Sequence, residues 1–127
     1  MSHWTKIKFQ IKSIDALKLA SAELGCELVA GQDARGYGGQ KRKADYTIKV
    51  PNAEYDVAVV KDINGNFELE TDFWGGSVAS VLGKDMDLLK QSYSVNTAEI
   101  EAQKLGHSVH RELMENGNIK LHLTIGN

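Results

Sequence analysis

The chain has 127 residues, of which 42% are hydrophobic and 25% charged, with a net charge of −2 at neutral pH. That is enough chain for one globular core without metal or disulfide staples, and too apolar a composition for disorder. The near-neutral balance argues against generic coating of nucleic acid, the single cysteine forbids an internal disulfide, and no apolar run reaches the ~18 residues that a membrane span requires.

Residues 1–10 carry Lys6 and Lys8 but no apolar centre, so no secretory leader is expected. The first strand covers residues 4–11, where Ile7, Phe9 and Ile11 alternate with Lys6, Lys8 and Gln10. Ser13 then caps a helix whose core stripe is Ile14, Leu17, Ala20 or Ser21, and Leu24, and Gly25 stops it. Cys26 opens a short second strand to residue 30 and is expected to pack as a small buried hydrophobe.

A glycine-rich, basic loop follows at residues 31–43. Strands at 44–50 and 55–61 come next, with Ile48 opposite Val57, Tyr46 opposite Val59, and Lys49 opposite Asp56 on the other face. The step Asn64-Gly65 fixes the next pairing. A three-residue loop, Ile63-Asn64-Gly65, sets Val59 against Leu69 and Tyr55 against Phe73 in a strand at 67–73. Residues 83–105 read as helical, with Leu82, Met86, Leu89, Tyr93 and Ile100 on one stripe and a break expected at 94–97, where Asn96 and Glu99 resemble a capping box.

Strands at 107–114 and 118–125 close the chain around Glu115-Asn116-Gly117. This register pairs Leu113 with Ile119, Arg111 with Leu121 and Val109 with Leu123, and on the reverse face Glu112 with Lys120 and His110 with His122. The sum is a single α+β domain over 1–127, an antiparallel sheet of about seven strands with two helices on one face. In the order β-α-β-β-β-β-α-β-β each half contains a β-α-β-β unit and both helices end in Leu-Gly, which suits an old duplication but is also the generic way to end a helix.

Several segments carry a resemblance. The opening Met1-Ser2-His3-Trp4-Thr5 with Ile7-Lys8 and Ile11-Lys12, the core Arg35-Gly36-Tyr37-Gly38-Gly39-Gln40, then Tyr55-Asp56-Val57 and Asp72-Phe73-Trp74 are together similar to the hypothetical chloroplast reading frame thirty-five family. This is a domain of unknown function found in algal plastids, cyanobacteria, other bacteria and phages. Gly75-Gly76 and the terminal Gly126-Asn127 depart from its pattern. The resemblance implies a compact α+β domain in a bacterial or host cytoplasm or a plastid stroma, and it supplies no activity, cofactor or catalytic residue.

The 31–43 loop is the first candidate site. Arg35, Lys41, Arg42 and Lys43 surround Gly36, Gly38 and Gly39, with Tyr37 at the centre and Gln40 beside it. Glycines let backbone N–H groups approach an anion, arginine forks onto phosphate, and tyrosine stacks on a base. Neither a Walker-A nor a G-x-G-x-x-G spacing is present.

Three other features compete with it. Trp74 points away from the core if Phe73 points in, which suits a partner's anchor pocket or, equally, a tryptophan closing the end of the sheet. Asp56, Glu68, Glu70 and Asp72 form an acidic stripe, read as the wet side of the sheet pairing with Lys6, Lys8 or Lys49. His110 and His122 are the weak metal candidates, with Glu112 as the one suitable neighbour.

The leading reading is a non-enzymatic binding or assembly module. Arg35, Tyr37, Gly38, Gly39, Gln40, Lys41, Arg42 and Trp74 would contact a protein partner or a second copy of the chain, with the exposed sheet face and without cofactor or membrane. A nucleotide or nucleic-acid binder using the same loop is the second reading, and a metal-dependent hydrolase the third.

Overall fold

A computed structural model of the chain describes residues 4–126. Met1, Ser2 and His3, which carry part of the resemblance, and Asn127, which departs from it, lie outside the described residues. Strand β1 (Thr5–Ile11) runs into helix α1 (Ile14–Glu23), then β2 (Glu27–Ala30) and two short strands, β3 (Ala34–Arg35) and β4 (Lys41–Arg42). After them come β5 (Tyr46–Lys49), β6 (Val57–Lys61), β7 (Phe67–Thr71), helices α2 (Ser77–Leu82) and α3 (Asp87–Lys104), and the closing pair β8 (Ser108–Leu113) and β9 (Ile119–Thr124).

The seven expected strands are all present, divided between two sheets. Five form an antiparallel sheet in the order β1-β7-β6-β5-β2, and β8 with β9 forms a separate hairpin. The registers follow the alternation. Ile48 faces Val57, Tyr46 faces Val59, and Val59 faces Leu69. Asp62 and Asn66 close the three-residue loop through an N–H to carbonyl bond of 2.7 Å, with Gly65 at φ +84. The final hairpin pairs Leu113 with Ile119, Val109 with Leu123 and His110 with His122. The ladder between β6 and β7 ends at Val57 and Thr71, short of the expected Tyr55–Phe73 pair.

Odd-numbered residues of β1, β6 and β7 and even-numbered residues of β5 turn to one face. There Ile7, Ile11, Ile48, Val57, Val59 and Leu69 pack against Leu17 and Ala20 of α1, Val78 and Leu82 of α2, and Leu89 and Tyr93 of α3. Ser13 starts α1 by accepting the Ala16 N–H at 3.1 Å. Both Leu-Gly ends are built alike. Cys26 N–H reaches the Ser21 carbonyl at 2.8 Å and His107 N–H the Ala102 carbonyl at 3.0 Å, each closing the last turn of its helix. Cys26 itself is buried, which pushes its thiol up and keeps it protonated.

The second helical region departs from expectation. Residues 77–82 are already helical, the chain turns at Gly83 to Met86, and α3 runs unbroken through 94–97. Two polar side chains of that stretch, Asn96 of the expected cap and its neighbour Thr97, bond backwards instead. Asn96 donates to the Ser92 carbonyl at 2.8 Å and Thr97 to the Tyr93 carbonyl at 2.9 Å, so neither competes for the helix N–H groups.

The closing hairpin is tied to the helices by Arg111, on its apolar side. Its guanidinium forks onto Glu23 of α1 at 2.9 Å on both arms and also bonds Glu99 of α3. Asn96 and Ser92 bond the same Glu23 carboxylate. The Arg111 bond is the largest influence on Glu23; burial opposes it, Asn96 and Ser92 reinforce it, and the carboxyl is held below its ordinary range. Arg111→Ala should therefore loosen the hairpin first. Amide hydrogen exchange should show β8 and β9 opening at least tenfold more often while the five-stranded sheet keeps its protection, an effect of about 1–2 kcal/mol after allowance for solvent at a third-exposed pair.

Candidate functional site

The face of the sheet opposite the helices is not open. The 31–43 segment folds back across it as β3, a tight turn at Tyr37–Gly39, and β4. Ala34 is fully buried there, and so are Ala58 and Thr47 of the sheet. Thr47 donates its hydroxyl to the Gln32 carbonyl. The side predicted to be wet is thus half covered by its own chain.

The acidic stripe explains why the segment stays down. Asp56 is 0% exposed and accepts four hydrogen bonds. Arg35 supplies its backbone N–H at 2.9 Å and two guanidinium bonds at 3.1 and 3.0 Å, while Lys49 adds its ammonium at 3.2 Å. In return the Asp56 N–H donates to the Arg35 carbonyl at 3.0 Å. Burial alone pushes the Asp56 carboxyl up, but the Arg35 bonds and the Lys49 ammonium outweigh it, so it sits below the ordinary carboxylate range. Arg42 holds buried Glu70 in the same way, and Lys6 reaches Glu68 at 3.2 Å. Asp72, also buried, accepts the Trp74 backbone N–H at 2.9 Å.

The tip is shaped by one close approach. The backbone of Gly36 lies against the Trp4 ring, and a Cβ there would stand 2.6 Å from a ring carbon. The Gly36 N–H closes the turn on the Gln40 carbonyl at 2.7 Å. Gly38, at φ +66, and Gly39, at φ +81, then swing the chain around so that Tyr37 stands out, 50% exposed. Beside it lies a cleft of about 390 Å³ lined by residues 35–41 with Glu54 and Tyr55. Burial, followed by the charges of Asp72 and Glu54, pushes the Tyr55 phenol up.

The candidate residues therefore divide. Arg35, Tyr37, Gly38, Gly39, Gln40 and Lys41 line one cleft. Arg42 is turned to Glu70. Trp74 is 52% exposed but is not among the walls of that cleft. His110 and His122 do share a face, with ring centres 6.0 Å apart, and the His122 ring nitrogen meets Glu112 at 2.7 Å. Among the described residues no three His, Cys, Asp or Glu side chains are grouped to hold a metal ion.

Sequence reasoning did not find the Glu23–Asn96–Arg111 lock or the Trp4–Gly36 contact. The first left one trace, an arginine on the apolar side of a strand. The second left none, because ring-on-glycine packing has no local pattern.

No described helix is long and apolar enough to cross a membrane. Comparison with known proteins agrees with the resemblance noted in the sequence. The chain is 33% identical over 128 residues to the "Uncharacterized protein ycf35" of Guillardia theta, covering 97% of this chain and 96% of that protein. No solved structure shows a significant match. The profile of the family described as "Protein of unknown function (DUF1257)" matches residues 20–122, so the chain belongs to that family.

Proposed function

We propose that the protein is a non-enzymatic binding module that docks a protein partner on the Tyr37 turn and the adjoining cleft. The observation that carries this reading is the pinning of the turn. Ordering a glycine-rich segment costs backbone entropy of ~1–2 kcal/mol per residue, and here buried ion pairs and the Trp4 contact hold it while leaving an aromatic side chain in solvent. A preorganised loop with an exposed tyrosine beside a concave wall is the arrangement from which interface anchors are built.

The same geometry ranks nucleic acid second. Arg35 and Arg42, the two side chains best suited to fork onto phosphate, already fork onto or bond carboxylates. Lys41 and Lys43 remain, exposed and without an ion-pair partner among the described residues. The single cysteine, with no internal disulfide available, fits a reducing cytoplasm or stroma.

A photo-crosslinking side chain at position 37 provides the test. Irradiated in native lysate, it should give a discrete protein adduct whose yield is kept when salt is raised to about 0.5 M before irradiation, whereas the same probe at exposed Ile63 should give none. Once the partner is known, Tyr37→Ala should weaken binding by roughly 2 kcal/mol, some thirtyfold. Binding that collapses with salt and with Lys41→Ala plus Lys43→Ala would instead support the phosphate reading.

A further inference from the structure

A second cleft, larger than the one beside Tyr37, lies on the helical side with a volume of about 670 Å³. It opens between the end of β1, the start of α1 and the C-terminal half of α3. A volume of this order suits a small molecule. Ile14 and Ile100 give it an apolar wall.

Tyr93 supplies the chemistry. Its side chain is buried, with 6% of the residue exposed, and its hydroxyl oxygen accepts the N–H groups of Lys12 at 2.9 Å and Ser13 at 3.1 Å. A phenol has two acceptor lone pairs and one proton. Both lone pairs are taken, and the proton makes no hydrogen bond to an acceptor among the described residues. Lys12 and Ser13, to which the oxygen bonds, line the cleft together with Tyr93, so the hydroxyl sits in its wall. The acceptor for this O–H is therefore taken from the cleft itself, water when it is empty and a ligand oxygen when one displaces that water.

The surroundings favour a negative acceptor carrying a single charge. Lys12 and Lys104 line the cleft, and the positive end of the ten-residue helix α1 adds to them. Asp15 and Glu101 lie on the same walls, Glu101 already 3.5 Å from the Lys104 ammonium. These four side chains cancel, which disfavours a polyphosphate, and the positive end of α1 is what tips the cleft toward a single negative charge.

We propose that this cleft binds a small monocarboxylate with an apolar body, its carboxylate accepting from the Tyr93 hydroxyl and its chain lying on Ile14 and Ile100. The probe is octanoate, titrated into the full chain and followed by backbone amide NMR, with 1-octanol as the uncharged control. Octanoate should give saturable shifts at the Lys12 and Ser13 amides, and 1-octanol should bind at least tenfold more weakly. Tyr93→Phe should weaken octanoate about tenfold, the effect of one hydrogen bond to a charged acceptor. Because that variant also strips two backbone N–H groups of their acceptor, Lys104→Glu on the exposed surface is the second variant, with an expected loss of about fivefold. Absence of saturable shifts at Lys12 and Ser13 would overturn the assignment. So would equal binding of the alcohol, or wild-type affinity in Lys104→Glu and in any folded Tyr93→Phe.

Discussion

Asp56→Ala should lower stability by about 3 kcal/mol, or roughly 10 °C in midpoint, and free the whole 31–43 segment. The carboxylate is completely buried and is shared by the Arg35 backbone, the Arg35 guanidinium and Lys49. Removing it leaves a backbone N–H without its acceptor and two cations facing the sheet. Half-exposed Arg35 can recover some hydration, which places the loss at the lower end of the range for a broken buried pair. Asp56→Asn keeps the shape and part of the acceptor capacity and should cost about half as much. Urea unfolding of the three proteins checks both figures.

The same carboxyl makes stability fall in acid. Its folded-state pKa lies below the ordinary value, so the unfolded chain takes up the proton more readily. The contribution is fully present above the ordinary carboxylate range, near pH 4, and is lost as pH falls through the lower folded value. Glu23 is lowered too and acts in the same direction at the hairpin lock. In Asp56→Asn the acid limb of the stability curve should be shallower, and near neutrality the curve should lie below that of the wild type.

Gly83→Ala should be the most damaging addition of a single methyl group. Gly83 has φ +89 and ψ 165, a conformation open essentially only to glycine, and it sets the corner between α2 and α3. A Cβ there would stand 1.8 Å from the Asp87 carboxylate oxygen and 2.9 Å from the Leu88 backbone nitrogen. Asp87 can swing away, but Leu88 N belongs to the first turn of α3 and cannot move alone. Backbone strain of ~1–3 kcal/mol plus displacement of the helix start should total about 3–4 kcal/mol. Gly75→Ala is the control. Its φ is also positive at +80, but nothing lies within 4 Å of the added carbon, so only about 1 kcal/mol is expected.

These two sites mark where the sequence stopped being legible. Alternation told which face each strand residue takes, and the two Asn-Gly steps set both hairpin registers. Alternation does not tell what covers a face. The partner of Asp56 lies 21 residues away, in a segment whose charges look equally suited to phosphate. Lys49, seven residues away across a hairpin, was readable because register brings it near. The corner at Gly83 was hidden for a similar reason. Apolar spacing from Leu82 to Tyr93 continues across it, although Asp85 and Met86 adopt left-handed backbone. The closing hairpin lies outside the main sheet and its Arg111 bonds carboxylates on helices, long-range contacts that strand periodicity cannot express.

Central to this account is a turn held rigidly over the sheet with Tyr37 presented to solvent. The most direct measurement is proton NMR of Gly36 in the free protein. Packing beneath the Trp4 ring should shift its α-protons upfield by about 1 ppm and give cross-relaxation to the indole, both abolished in Asp56→Ala. Random-coil shifts for Gly36 without contact to Trp4 in the wild-type protein would contradict it.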